Sequence, residues 1–430
     1  MLKYTQAYTM FKEMIADGRL RRGERMPSIR RAAELYRISR TTVQNAYFQL
    51  AAEGYIYAKP QSGYFVAGGP KAPAAPQVQT PPRLDLTGNS ADLSSFDFSL
   101  WQRYIKSALR QRQRLLTYSE PQGEYDLRCA LADYVRERRN VVTAPEHIVV
   151  GAGVQMLLEI LCVLLKGRRT VSFPDGSFVQ GSTVFAAHGY TVRTRYKDAD
   201  IIYVSPSHMN RQGDVMPIQR RLELCAHSAD TGAVVIEDDF ENDFLYSSTP
   251  TPSLYALGSG NVVYMGAFSA LLLPGIRISF MVLSPTLAAA YHQMKDTFAQ
   301  TASKTEQIAL CAYLRDGNMK SRTKKIRRLY TGKAKTLCAL LAKALPDHPV
   351  RVGENGLQVQ IETPMLPDSA PFEQAGLALY IVKEKSGKNI VVVSPSAVPA
   401  DRLEEAAHAV AAALYKAEEA AKAKRSKDIY

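Results

Sequence analysis

PSIRRAAELYRISRTTVQNAYFQLAAEGYIYAKPQSGYFV, residues 27–66, punctuates two short helical periods with capping residues and ends in a hairpin signal. Ser28 can accept from the first free amides of a helix running to about Tyr36, and Ser39 can do the same for a helix that stops at Gly54. Upstream, apolar residues recur at helical spacing from Leu2 to Asp17 until Gly18 stops them, and RLRRGERMPS connects onward. Downstream, Tyr55 to Lys59 and Gly63 to Val66 predict two strands around Pro60, Gln61 and Ser62, a hairpin suited to being a wing. Two helices across a tight turn, followed by a hairpin, predict an α+β winged helix-turn-helix.

In such a module the third helix enters the DNA major groove with its N-terminal residues at base edges, while capping hydroxyls and amides hold phosphates. Arg40, Thr41, Thr42 and Gln44 occupy that end, with Ser39 at the cap and Gly63 in the wing. Arg40 is the leading base reader because its guanidinium can donate bidentately to guanine; Arg30, on the preceding helix, can reach the backbone or a base. Charge agrees with a polyanion partner: residues 1–66 hold eleven Lys or Arg against five Asp or Glu, in a chain of net charge +13. The expected partner is a double-stranded DNA operator. A second basic cluster, Lys320 to Lys335, and a basic tail at 421–430 are expected to be solvated helix faces or ends.

Length and composition narrow the rest. With 430 residues there is room for two or three domains, and 46% hydrophobic against 22% charged residues is globular rather than disordered composition. No apolar run approaches the ~20 residues that span a bilayer, and the start shows no secretion signal. Cys129, Cys162, Cys225, Cys311 and Cys338 lie far apart without metal spacing, so free thiols, no metal and a cytoplasmic location are expected. Residues 67–83, AGGPKAPAAPQVQTPPR, are Pro and Ala rich without a period and predict a semi-rigid linker. From 84 to about 420, short β-branched runs such as HIVVGAG, DIIYVSP, GAVVIEDD and NVVYMGAF alternate with helical patterns, which predicts an α/β domain with a mainly parallel sheet.

The N-terminal stretch resembles the GntR-type winged helix, from its PS-x-R start through SRTTV to the wing glycine. After residue 84 the order of motifs resembles fold-type I aminotransferases, and the fusion resembles the MocR subfamily of regulators. TYSEPQGEYDLRCALADYVRERRNV is similar to YGxPxGxxxLRxxIAxYLxxxRGV, YVSPSHMNRQG to TPSHQxPxG, VIEDDFENDFLY to EDDYDSEFxY, and YMGAFSALLLPGIRISF to YxGxFSKxLxPGxRxGY. VVGAGVQMLLEIL resembles the family's strand, Gly-rich turn and helix. The resemblance implies dimeric binding to a near-palindromic or repeated operator.

It also implies a pyridoxal phosphate site whose lysine forms a Schiff base, a chemistry that needs the amine. Here that position is Ala270, and no lysine lies between Gly260 and Met294. Ala267 stands where a hydroxyl contacts the phosphate, Phe240 where a tyrosine reaches the ring oxygen, and Val392 where an arginine grips the substrate carboxylate. Phe178 takes the place of the ring-stacking tyrosine. Retained by the resemblance are Asp238 for the pyridine nitrogen, Arg277 for phosphate, Asn210 for the ring oxygen and Tyr118 for the neighbouring subunit's phosphate. Ser269 completes the pocket set, and His208 has the character of a structural residue.

Each lost charge-assisted contact weakens binding by ~1.5–3 kcal/mol, so pyridoxal phosphate is expected only as a weak, non-covalent ligand and no covalent aldimine is expected. The residues favour a homodimeric DNA-binding regulator with a catalytically inactive aminotransferase-like domain, used for dimerisation and sensing of an unknown small-molecule effector. A regulator responding to pyridoxal phosphate without a Schiff base is the alternative, and Ala270 disfavours an active aminotransferase.

Overall fold

Contacts within the computed structural model, which describes residues 3–67, 83–239, 252–258, 260–383 and 388–427, divide the chain into two units, Met1–Pro81 and Pro82–Tyr430. Phe240 and most of the 67–83 segment lie outside the described residues.

The first unit holds α1 (Lys3–Ala16), α2 (Ile29–Tyr36), α3 (Arg40–Ala52), β1 (Ile56–Lys59) and β2 (Gly63–Val66). Both serines cap as their positions predict: Ser28 Oγ accepts from the Arg31 amide and Ser39 Oγ from the Thr42 amide. Phe11, Ala32, Val43, Tyr47, Leu50 and Ile56 meet in one buried cluster, so the three helices and the hairpin share a core. Tyr47 Oη donates to Pro27 O at 2.9 Å, which ties α3 to the connector before α2. β1 and β2 pair antiparallel from Ile56 opposite Val66 to Lys59 opposite Gly63. The turn between them uses left-handed backbone at Gln61, φ 60°, and Gly63, φ 91°.

The second unit opens with β3 (Leu84–Asp85) and then builds a seven-stranded sheet. Its strands are β4 (Ile148–Gly151), β5 (Thr170–Phe173), β6 (Thr191–Thr194), β7 (Ile201–Val204), β8 (Val234–Asp238), β9 (Val262–Ala267) and β10 (Ser279–Val282). Their spatial order is β4-β10-β9-β8-β7-β5-β6, with β10 antiparallel to both neighbours and the other pairs parallel. β4, β8 and β10 are buried along their whole length because helices cover both faces, which is why these strands read as continuous apolar runs. A four-stranded antiparallel sheet follows, β11 (Val350–Val352), β12 (Val359–Thr363), β14 (Tyr380–Lys383) and β15 (Asn389–Val393), ordered β11-β12-β15-β14. β13 (Leu377–Ala378) pairs in parallel with β3 instead, bringing the start of the unit to its end. Helices Asn318–Ala344 and Leu403–Lys427 pack on the smaller sheet through Leu337, Leu341, Val410 and Leu414, and the second of them runs into the 421–430 tail.

The Lys320–Lys335 cluster lies on a 27-residue helix, but it is not all solvated: Arg322 and Lys333 are buried. Lys333 Nζ pairs with Asp92 Oδ2 at 2.5 Å and donates to Val398 O at 2.6 Å. Arg322 donates Nε to Leu271 O at 2.9 Å and Nη2 to Leu272 O at 3.3 Å, gripping the segment just after Ala270. A helix of this length turns basic positions inward every third or fourth residue, and such positions persist where carbonyls and a carboxylate receive them.

Candidate functional site

In the first unit, Arg40, Thr41 and Gln44 are exposed at the N-terminal end of α3, on the side opposite the buried Val43, Ala46 and Tyr47. The Thr42 hydroxyl is 2.7 Å from Ser39 Oγ, so these two side chains rigidify the helix start. Arg30 forms an exposed i,i+4 pair with Glu34 at 3.3 Å, a contact weak enough to be exchanged for a phosphate. Gly63 is exposed in the wing, where Tyr57 stacks on Phe65 at 5.9 Å and Lys59 lies over the Phe65 ring at 5.3 Å.

In the second unit a cavity of about 610 Å³ lies where the ends of β5, β7, β8 and β9 face residues from β14 and β15. Its volume suits a small metabolite. Gly153, Phe178, His208, Asp238, Ala267, Ser269, Arg277 and Val392 all line it. A contiguous space of about 190 Å³ shares Ser269 and Arg277 with it and is lined by Ala270.

The positive end of the cavity is built on backbone. Helix Val154–Leu164 begins at Gly153 without a side-chain cap, so its first amides and the helix dipole face outward. Arg277 lies directly across it: a Cβ on Gly153 would stand 2.3 Å from Arg277 Nη2. Gly153 has φ 99°, open to glycine but rarely to other residues, and Arg277 itself has left-handed backbone, φ 51°, an uncommon conformation for a residue with a side chain. No ion pair joins Arg277 to a carboxylate among the described residues. A guanidinium beside a helix N-terminus is an anion cradle.

The acidic end of β8 separates three adjacent carboxylates by partner. Glu237 is fully buried and accepts from the Leu254 and Tyr255 amides at 2.9 and 3.0 Å. Burial, then the neighbouring Asp239, push its carboxyl up to about 7 against the pull of Arg139. Asp239 pairs with Arg139 Nε at 2.7 Å and accepts from Tyr264 Oη at 2.7 Å. Asp238, by contrast, lines the cavity and accepts from Tyr203 Oη, whose pKa is driven well above its ordinary value by burial and then by Asp238.

Two described residues of the expected set, Asn210 and Tyr118, line neither space. Asn210 is committed to its own turn: its Oδ1 accepts from the Gln212 amide at 3.1 Å and its Nδ2 donates to Asp214 at 2.7 Å. Tyr118 is fully exposed on a loop that Lys304 clamps through the carbonyls of Arg114, Thr117 and Tyr118 at 2.9, 2.9 and 3.1 Å. His208 lines the cavity with Nδ1 3.3 Å from Asn355 Nδ2. Arg211 was missed from the sequence, yet it lines the cavity. Its signal was there: SHMNRQG puts arginine where the TPSHQxPxG pattern has its proline.

The Arg277 cradle fits a phosphate-sized anion, but among the described residues no lysine lines either space, and Ala267 and Ala270 bring only methyl groups. The residues do not fit an imine-bound pyridoxal phosphate.

A winged helix joined to an aminotransferase fold with this cavity defines a DNA-binding regulator of fused architecture. Residues 3–66 match the family described as bacterial regulatory proteins, gntR family, and residues 85–400 match aminotransferase class I and II. The chain is 35% identical over 384 residues to the uncharacterized HTH-type transcriptional regulator YhdI of Bacillus subtilis (strain 168), covering 83% of this chain and 82% of that one. It is 28% identical over 398 residues to the probable rhizopine catabolism regulatory protein MocR of Rhizobium meliloti, covering 83% and 80%. An archaeal alanine:glyoxylate aminotransferase shares the fold with a TM-score of 0.70 at 20% identity, covering 79% of this chain and 92% of that one. The chain belongs to the MocR-type transcriptional regulators, a gntR-family DNA-binding domain followed by an aminotransferase class I and II domain. None of its described helices is long and apolar enough to cross a membrane.

Proposed function

We propose that this regulator uses its aminotransferase-fold unit as a non-covalent anion receptor that pairs two copies of the chain and so sets how two winged helices meet an operator. The observation that carries the receptor role is Arg277 over Gly153 at the uncapped start of helix Val154–Leu164, in a cavity where Ala270 takes the place of an amine. The anion must bind one arrangement of the dimer better than another, because equal affinity shifts no population. Pairing through the second unit is supported by the apolar side chains Leu109, Leu116, Tyr118 and Tyr125, exposed within one stretch of the chain whose middle Lys304 clamps.

Calorimetric titration of the full chain with inorganic phosphate is expected to give saturable binding. The purified chain is expected to show no near-visible absorbance band that shifts on adding an amino acid; such a band overturns the inactive site. Sedimentation is expected to show two copies of the chain per particle, and a monomer removes the pairing. For the reader, Arg40→Ala is expected to cost about 1–3 kcal/mol of base discrimination with the winged helix still folded. Unchanged sequence preference in a binding selection would remove Arg40 as the base reader.

A further inference from the structure

Resting on the anion-receptor role proposed above, we infer that Arg211 is a second anion site in the same cavity, so that the ligand is a small metabolite carrying a phosphate-like group and a carboxylate. Val392 is apolar and buried, so β15 offers no cation at the place where the resemblance puts a carboxylate-gripping arginine. Arg211 brings one from a different element. Its guanidinium carbon sits over the Tyr380 ring, 3.7 Å from the centroid, and Nη2 donates to Ser177 O at 3.3 Å. Tyr380 and Ser177 both line the cavity, and Tyr380 Oη is itself fixed by Asn89 Nδ2 at 3.0 Å. No ion pair joins Arg211 to a carboxylate among the described residues. The two acids of the lining are held elsewhere, Asp238 by Tyr203 and Asp175 by the Ser177 amide at 2.8 Å.

The turn that carries Arg211 is rigid, which separates a built cation from a solvated surface charge. Asn210 closes it from within: Asn210 O accepts from the Gly213 amide at 3.0 Å, and Asn210 Oδ1 accepts from the Gln212 and Asp214 amides. The neighbouring sheet closes it from outside. Gln360 Nε2 donates to Gln212 O at 2.7 Å and the Asn355 amide to Gly213 O at 3.0 Å. Gly213, at φ 83°, sits so close that a Cβ would stand 2.5 Å from Asn355 Oδ1. A guanidinium pinned by an aromatic face and a carbonyl loses little freedom on binding, and its planar fork matches a carboxylate.

The test titrates the full chain with inorganic phosphate and with a graded series of ω-phosphonoalkanoic acids. The best-matched phosphonocarboxylate is expected to bind wild type roughly tenfold more tightly than phosphate, the gain of one charge-assisted contact. Arg211→Gln is expected to erase that gain and leave phosphate binding unchanged, and Arg211→Lys, which keeps the charge but not the fork, to retain only part of it. A gain that survives intact in Arg211→Gln, or in Arg211→Lys should the first variant not fold, overturns the assignment while the receptor role stands. No phosphonocarboxylate advantage in wild type, with phosphate still bound, overturns it too. Binding of neither probe to wild type removes the receptor role and this site with it.

Discussion

Gly153→Ala is expected to weaken inorganic phosphate binding by roughly ten- to a hundredfold, the loss of one to two charge-assisted contacts. The added methyl would occupy a point 2.3 Å from Arg277 Nη2, and real atoms do not share that space. Either the guanidinium leaves the helix start or the helix start moves, and both separate the two halves of the cradle. The backbone adds a second penalty, because φ 99° is a conformation that L side chains rarely adopt, so folding should lose about 1–2 kcal/mol as well. Arg277→Gln removes the charge without the clash and is expected to give a similar loss of affinity with a smaller loss of stability. The double variant should be little worse than either single one, since both disable the same contact. Full phosphate affinity in Gly153→Ala, measured by calorimetry below the melting transition of the variant, would place the anion elsewhere.

How much of this was legible depends on the range over which each residue acts. Ser28 and Ser39 were readable because a cap bonds within three residues of itself. The parallel sheet was readable from runs such as Val234–Asp238, because burial on both faces erases alternation. That Ala267, Ala270 and Val392 would line the site was readable too, since they fall inside motifs of fixed spacing. Arg322 and Lys333 were not, because acceptors more than fifty residues away along the chain decide that a basic side chain turns inward. Asn210 had a plausible long-range role and a real short-range one: a side-chain amide that can close its own turn does so. Arg211 became visible only when the fold brought Tyr380 from 169 residues further along the chain against its face.

Arg221→Met is expected to lower the stability of the second unit by about 3–5 kcal/mol, the cost of a buried network losing its donor. Arg221 has no exposed surface, and burial lowers its pKa while the Glu237 carboxylate opposes that shift. Its guanidinium donates to Met216 O and Pro252 O at 3.1 Å each and to Pro206 O at 3.4 Å, three carbonyls from segments that share no hydrogen-bonded strand. Methionine fills much of the volume but leaves those carbonyls without their donor. The midpoint of urea unfolding should fall with little change in slope, and Arg221→Lys, able to reach fewer carbonyls, should lie between. Function should follow the same geometry. Pro206 begins the segment that ends in the Asn210–Gly213 turn, so loosening it frees Arg211 before it disturbs Arg277, which stands on a different segment beside Gly153. At temperatures where the variant stays folded, the phosphonocarboxylate advantage should shrink while phosphate binding holds. A melting transition within about 1 kcal/mol of wild type would show that these carbonyls find other donors, and the rigidity ascribed to the Arg211 turn would then rest on Asn210, Gln360 and Asn355.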